Sequence, residues 1–151
     1  MRIEEIELRR VSMRMKAPFR TSFGTTQDRE IGLVTVRGDG AKGAGEIVAA
    51  EEPLYNEETL DTAFHMIERH LAPRVLGVEL SHPSELVARW RAVRRNHMAK
   101  AGLETAAWDL WTAREGHALW KALGGVRQRV PAGVSVGIQE DVTALLEHIE
   151  R

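Results

Sequence analysis

Residues 95–125 read RNHMAKAGLETAAWDLWTAREGHALWKALGG, and the way this stretch packs decides the fold. Met98, Ala101, Thr105, Trp108 and Thr112 recur at three- and four-residue steps, which puts them on one face of a helix. Leu103, Ala106, Ala107, Leu110 and Trp111 make a second face almost as apolar. A helix that is apolar nearly all round is expected to be buried rather than laid on a surface. Three of the four Trp residues fall here, among the small residues Ala101, Gly102, Ala106 and Ala107 that let neighbouring elements approach closely. The expectation is a central helix around which other elements pack, then a short helix over 118–123 closed by Gly124 and Gly125, where positive φ is easily supplied.

Upstream, the period changes from helical to alternating. Residues 2–13 read as a strand in which Ile6 and Leu8 share one face and Val11 and Met13 the other. The phase slip at Arg9 and Arg10 suggests a bulge or an edge twist there. Residues 17–26, APFRTSFGTT, follow neither period and read as a loop. Residues 31–37 and 42–49 read as two further strands, joined by the turn signal Gly38-Asp39-Gly40, so the three most simply form an antiparallel meander. After a second loop at 51–56, EEPLYN, Asn56 is the expected N-cap of a helix with the stripe Leu60, Phe64, Ile67 and Leu71, closed by Pro73. Ser81 and Pro83 open another helix with Leu86, Val87, Trp90 and Val93 inward. Past the central helix, residues 130–138 (VPAGVSVGI) read as a strand buried on both sides, followed by a helix with Val142, Leu145, Leu146 and Ile149 on one face. Three strands and then helices indicate an α+β domain, to which this last βα unit is foreign. The run 134–138 needs a neighbour on each edge. If the chain stops at 151, self-association, strand swapping or disorder after about residue 129 is expected.

Bulk properties narrow the class. A net charge of −1 gives no basic stripe for nucleic acid or an anionic membrane. The absence of cysteine excludes a disulfide framework and a thiolate metal site. The N-terminal MRIEEIELRR has no continuous apolar segment and is not a signal peptide, and no apolar run approaches the length that crosses a bilayer. A cytoplasmic protein, with neither nucleic acid nor membrane as partner, is the expectation. His65 and His70 are five apart, the wrong spacing for shared ligation, and the glycines at 38, 40, 43 and 45 lack the strand–loop–helix context of a phosphate loop. Lys100 and Glu104 are explained by a helical ion pair, and Asp109 by a structural role.

The stretches IEEIELRRVSMRMKAPFRTSFGT, EEPLYNEET, RNHMAKAGLETAAWDLW and GVSVGIQ together resemble the enolase superfamily. Within it they are most similar to the N-acylamino-acid (N-succinylamino-acid) racemase / o-succinylbenzoate synthase group. The resemblance implies a capping domain over residues 1–129. It also implies that residues 130–151 are the first βα unit of a (β/α) barrel, a fold of roughly 250 residues. It implies Mg²⁺-assisted abstraction of the proton α to a carboxylate in the complete enzyme, with lysines moving the protons. Those lysines and the metal ligands belong to later barrel strands, so no catalytic residue and no metal ligand is assigned in this chain, and no activity is expected from it alone. The implied partners are a small-molecule carboxylate, either an N-acylamino acid or a succinylbenzoate precursor, and further copies of the chain in a homo-oligomer.

By the same resemblance, residues 17–26 and the loop around 51–55 close over the barrel mouth, where exclusion of water and shaping of the distal pocket are their tasks. Phe19, Phe23 and Tyr55 are then the substrate-contacting side chains. The competing reading folds them back onto the meander as minor core. Ser135 would offer a hydroxyl to a substrate carboxylate or carbonyl, against the alternative of an ordinary serine bonding backbone. Arg20 is read as a solvated loop cation rather than a carboxylate partner. Two other function classes stay open: a stand-alone, non-catalytic interaction module, and a related dipeptide epimerase or cycloisomerase.

Overall fold

The computed structural model describes residues 1–22 and 24–150. Three strands, β1 (Glu5–Thr21), β2 (Gly24–Gly38) and β3 (Ala41–Ile47), form an antiparallel sheet in the order β1-β2-β3. The helices α1 (Leu60–Met66), α2 (Glu85–Arg89), α3 (His97–Glu115), α4 (Leu119–Ala122) and α5 (Val142–Ile149) follow. The expected meander is present, and the turn signal at 38–40 is a tight two-residue hairpin. Asp39 and Gly40 both take positive φ (49° and 74°), and Gly38 pairs with Ala41.

The first hairpin is longer than the sequence period suggests. β1 and β2 pair without interruption from Glu5↔Arg37 to Arg14↔Asp28, so no bulge lies at Arg9 and Arg10. The change of face there is plain strand alternation. Ile6 and Leu8 pack on the core, whereas Val11 and Met13 point to the other side, Met13 in the open. The irregularity falls later, between Arg14 and Phe19, where residues 15–18 stand opposite Gln27 alone. The Gln27 side-chain amide donates to the Met15 carbonyl (2.7 Å) and so satisfies part of the backbone that the bulge frees. Beyond it, Phe19↔Thr26, Arg20↔Thr25 and Thr21↔Gly24 resume the ladder. The stretch 17–26, expected as a loop, is therefore mostly the end of a β-hairpin. The extra residues at the bulge break the period-2 pattern that would have revealed it.

The core is the interface between the inner face of β2–β3 and α3. Val34, Val36 and Ile47 face Ala99, Leu103, Ala106, Ala107 and Leu110, all buried. Glycines bring the layers close. A Cβ at Gly43 would lie 2.1 Å from the Leu110 nitrogen, and one at Gly45 would lie 2.1 Å from the Gly102 carbonyl oxygen. α3 is nevertheless not apolar all round. Ala101 and Thr105 are exposed and Trp108 is only half-buried, because the sheet covers one face of the helix, whereas the other is covered only in part, by His82 at Trp108. Trp108→Ala then falls short of the ~3–5 kcal/mol of a fully buried aromatic. Gly116, at φ 68°, ends α3 in a left-handed cap, and Gly124, at φ 80°, ends α4, as its sequence suggests.

α1 begins one turn later than Asn56. Thr59 is its N-cap, in a reciprocal capping box with Thr62, while the Asn56 side chain accepts from the Glu58 amide (2.9 Å). The stripe Leu60, Phe64, Ile67 and Leu71 faces inward, and α1 runs on as a π-turn (Ile67–Leu71) and a 3₁₀ turn (Ala72–Arg74). In α2, Leu86 and Trp90 are buried as expected, but Val87 is exposed. Arg10 joins three elements: it is paired with Glu30 of β2 (2.6 Å) and with Asp61 of α1, and its guanidinium lies 5.8 Å from the Phe64 ring centroid.

The expected strand within 130–138 is not formed. This segment enters no ladder, since a strand exists only with a neighbour to hydrogen-bond, and Val130, Val134 and Ile138 are exposed. The helix of the expected βα unit is present as α5, started by Asp141, whose carboxylate accepts from the Ala144 amide (2.8 Å). Its apolar stripe, Val142, Leu146 and Ile149, is exposed.

Gly43→Ala should destabilise the fold by about 3 kcal/mol or more, a fall in Tm of roughly 6–12 °C, because backbone rather than a flexible side chain must move; thermal melting followed by circular dichroism reads it. On the sheet's outer face, hydrogen bonds from Arg37 and then Arg9 hold the Glu7 carboxyl below its ordinary value. A lowered folded-state pKa gives a contribution fully present above the ordinary carboxylate range and lost as pH falls through the lowered value. The acid limb of Tm against pH should accordingly be shallower in Glu7→Gln than in the wild type.

Candidate functional site

Register places two loops at the same end of the sheet. β3 makes its last pair at Gly32↔Ile47, at the end opposite the 38–40 turn. β1 and β2 continue past that pair to Thr21↔Gly24 as a two-stranded ribbon, which at about 3.4 Å per residue overhangs β3 by roughly 25 Å. The loop after β3, residues 51–58, leaves from this same end. The sheet therefore presents the ribbon tip, with Phe19, and the 51–58 loop, with Tyr55, on one side of the molecule.

The tip lies against the segment after α4. The Ile138 amide donates to the Arg20 carbonyl (3.0 Å), and the Phe19 ring edge packs on Gly137, where a Cβ would come within 3.1 Å of Phe19 Cδ2. Arg20 faces Glu140 at 3.7 Å, both side chains exposed, a pair of little energetic weight. Gln139 closes this short segment by donating to the Gly137 carbonyl (2.8 Å). Phe19 is thus half-buried and brought next to residues 137–138. Ser135, two residues before Gly137, is exposed. Phe23 lies outside the described residues.

The 51–58 loop is pinched at its base, where Ala50 bridges Thr59 and the Leu60 amide donates to the Ala50 carbonyl (2.9 Å). At its tip Leu54 and Tyr55 are 59% and 82% exposed, so the loop offers an apolar pair, of which sequence reading singled out only Tyr55. Its last residue, Glu58, is 4% exposed, and its carboxylate accepts from the Met98 and Ala99 amides (3.0–3.1 Å) at the start of α3. No sequence period marks this contact, which joins residues forty positions apart.

Other candidates have structural partners. Asp109 accepts from the Ala44 amide (2.8 Å) and ties α3 to β3, as its structural reading implies. Lys100 donates to the Val93 carbonyl (2.6 Å) and, among the described residues, is not ion-paired with Glu104. His65 and His70 meet edge to face, and His82 lies between Trp108 and Trp111 with ring centroids at 4.9 Å from each. Among the described residues no three His, Cys, Asp or Glu side chains gather as metal ligands, so these residues do not fit a Mg²⁺ site. No helix among them is long and apolar enough to cross a membrane.

Such a sheet-plus-helix layer, with the ribbon tip and the 51–58 loop at one end, has the architecture of an α+β capping domain. Residues 4–124 match the family model described as "Mandelate racemase / muconate lactonizing enzyme, N-terminal domain", and the chain belongs to this family of the enolase superfamily. It is 50% identical over 150 residues to an o-succinylbenzoate synthase of Geobacillus kaustophilus, covering 99% of this chain and 40% of the relative. It is 46% identical over 151 residues to an N-succinylamino acid racemase of Thermus thermophilus, covering 100% of this chain and 41% of the relative. A solved structure of an enolase-superfamily member from Listeria innocua superposes with a TM-score of 0.93 at 30% identity, over 99% of this chain and 41% of that one. The chain thus spans about two-fifths of the length of the relatives it matches.

Removing the Phe19 ring should loosen the tip without unfolding the core. In Phe19→Ala, amide exchange at Ile138 is expected to quicken about fivefold, equivalent to roughly 1 kcal/mol of local opening, with Val34 and Val36 unchanged. Equal protection at Ile138 in variant and wild type would show that Phe19 does not hold the tip down.

Proposed function

We propose that this chain is the substrate-capping portion of an o-succinylbenzoate synthase / N-succinylamino acid racemase type enzyme. Identity near one half to relatives bearing both names, across nearly the whole chain, is the observation that carries the proposal. The reaction class is proton abstraction α to a carboxylate. Its acid–base lysines and Mg²⁺ ligands come from a (β/α) barrel of the kind these relatives' superfamily uses, not from the residues of this chain. The substrate is a small carboxylate with an apolar or acyl distal part. The same reading carries a cytoplasmic location and a homo-oligomeric assembly.

What this chain contributes is closure. The ribbon tip and the 51–58 loop project from one end of the sheet, and Phe19, Phe23, Leu54 and Tyr55 offer apolar surface to the distal part of a substrate. Covering that part removes water from the reacting centre and orients the carboxylate. Ser135 adds a hydroxyl from the segment that the tip touches. Residues 130–150, with exposed β-branched side chains and the open stripe of α5, are the joint to the barrel: the unformed strand acquires its ladder from the next barrel strand, and α5 its cover.

The test is a chimera in which this chain replaces the matching portion of the Geobacillus kaustophilus relative. It should form o-succinylbenzoate and racemise N-succinylamino acids, whereas the 151-residue chain alone should do neither. Phe19→Ala and Tyr55→Ala in the chimera should lower kcat/KM roughly 10- to 100-fold, a loss of about 1.4–2.7 kcal/mol, chiefly through KM. A folded chimera without either activity, but active on a dipeptide or a muconate, would transfer the chain to the epimerase or cycloisomerase group. A folded chimera inactive on all of these would leave the non-catalytic module.

A further inference from the structure

α3 has an unusual beginning. Its N-cap residue, Asn96, is of a type that ordinarily caps through its own side chain, accepting from the N2 or N3 amide. Here Asn96 is left-handed (φ 55°), as is Arg95 before it (φ 50°), and the Asn96 side-chain amide donates backwards to the Arg94 carbonyl (2.8 Å). The N2 and N3 amides, Met98 and Ala99, are left for a group from elsewhere. Glu58 supplies it: one buried carboxylate accepts from Met98 with both oxygens and from Ala99 with one. A negative charge there also suits the positive end of a helix dipole.

Where the capping carboxylate comes from matters as much as the cap. Glu58 is the last residue of the 51–58 loop, three positions from Tyr55, in a loop whose base is already closed by the Ala50–Thr59 bridge. A second tie, Glu57 to Arg95 at 3.5 Å, is exposed and adds little. The loop's return path is therefore fixed at two points, the Ala50–Thr59 bridge at the β3 end and the buried Glu58 carboxylate on the first turn of α3, with Leu54 and Tyr55 at the apex.

We infer that Glu58 is a positioning residue: by capping α3 in place of Asn96 it locks the 51–58 loop to the most buried helix and sets where Tyr55 stands over a substrate. The anchoring stands on the geometry alone; its meaning for substrate rests on the function proposed above. Glutamine matches glutamate in shape but keeps only one acceptor oxygen and turns an N–H toward donors. Aspartate keeps the charge but is one methylene short.

Two measurements test this. In the 151-residue chain, Glu58→Gln should speed amide exchange at least tenfold at 51–57 and at Met98 and Ala99, with Val34 and Val36 unchanged, and Glu58→Asp should do the same to a smaller degree. Arg95→Ala should leave all of these near wild type. Unchanged exchange in the loop of a folded Glu58→Gln would overturn the anchoring; if that variant does not fold, Glu58→Asp decides by the same reading. In the active chimera, Glu58→Gln should raise KM about tenfold with kcat within twofold, and should add nothing further in a Tyr55→Ala background. Independent, multiplying effects of the two substitutions would overturn the role in placing Tyr55. An inactive chimera would defeat the proposed function while the exchange data still decide the anchoring.

Discussion

The close approach of α3 to β2 and β3 is the constraint on which the rest depends. Gly43 and Gly45 remove the side chains that would hold the layers apart, and Gly102 does the same from the helix, where a Cβ would meet Ile47 Cγ1 at 2.7 Å. Backbone from the two layers then meets across the interface, and Asp109 reinforces it by accepting from the Ala44 amide. A three-stranded sheet covers little area, so its stability rests on tight packing against a helix on one face. With that face fixed, Val34, Val36, Ile47, Leu103 and Leu110 form a continuous buried layer. The ends of β3 and α3 become the rigid points from which the loops are hung.

From these points the molecule divides its work between a stiff body and projecting parts. The body sets directions: the register of β1–β3 decides which end carries both the ribbon tip and the 51–58 loop. The projecting parts carry exposed aromatic and aliphatic surface at Leu54 and Tyr55. Among the described residues no three His, Cys, Asp or Glu side chains gather as metal ligands. The likeness to an o-succinylbenzoate synthase and an N-succinylamino acid racemase runs through both body and projecting parts and extends over two-fifths of those relatives.

How much of this was legible in the sequence depended on whether the cause was local. The helical stripe of Leu60, Phe64, Ile67 and Leu71, the turn at 38–40 and the stop at Gly124 are set by near neighbours, and the residue pattern reports them. The ribbon end was obscured because residues 15–18 break the alternation, and Gln27, across the hairpin, satisfies the Met15 carbonyl in that bulge. Asn56 looked like a helix cap, yet its side chain bonds the Glu58 amide, and the helix starts at the Thr59–Thr62 box. The face of α3 that carries Ala101, Thr105 and Trp108 misled because composition does not say what lies opposite: Ala101 and Thr105 are small and mild enough to be left in water. The β-branched run at 134–138 has the propensity of a strand, but a ladder is a property of two segments. As for the candidate site, the 51–58 loop with Tyr55 and the irregularity before Phe19 show in the sequence as departures from periodicity, though the latter reads there as a loop and is a bulged ribbon end, while Glu58 was not legible, since its partner is forty residues away.

The overhanging ribbon has a consequence for how order is distributed. Two strands alone are marginal in water, so the outer half of the β1–β2 hairpin is ordered only as far as something supports it. In this chain the support is Gly137 and the Ile138 amide, beyond α4. The outermost part of the N-terminal hairpin and a segment more than a hundred residues later in the chain therefore gain or lose order together. The ribbon behaves as a conditional element, whose rigidity reports whether the chain downstream of α4 has taken its place.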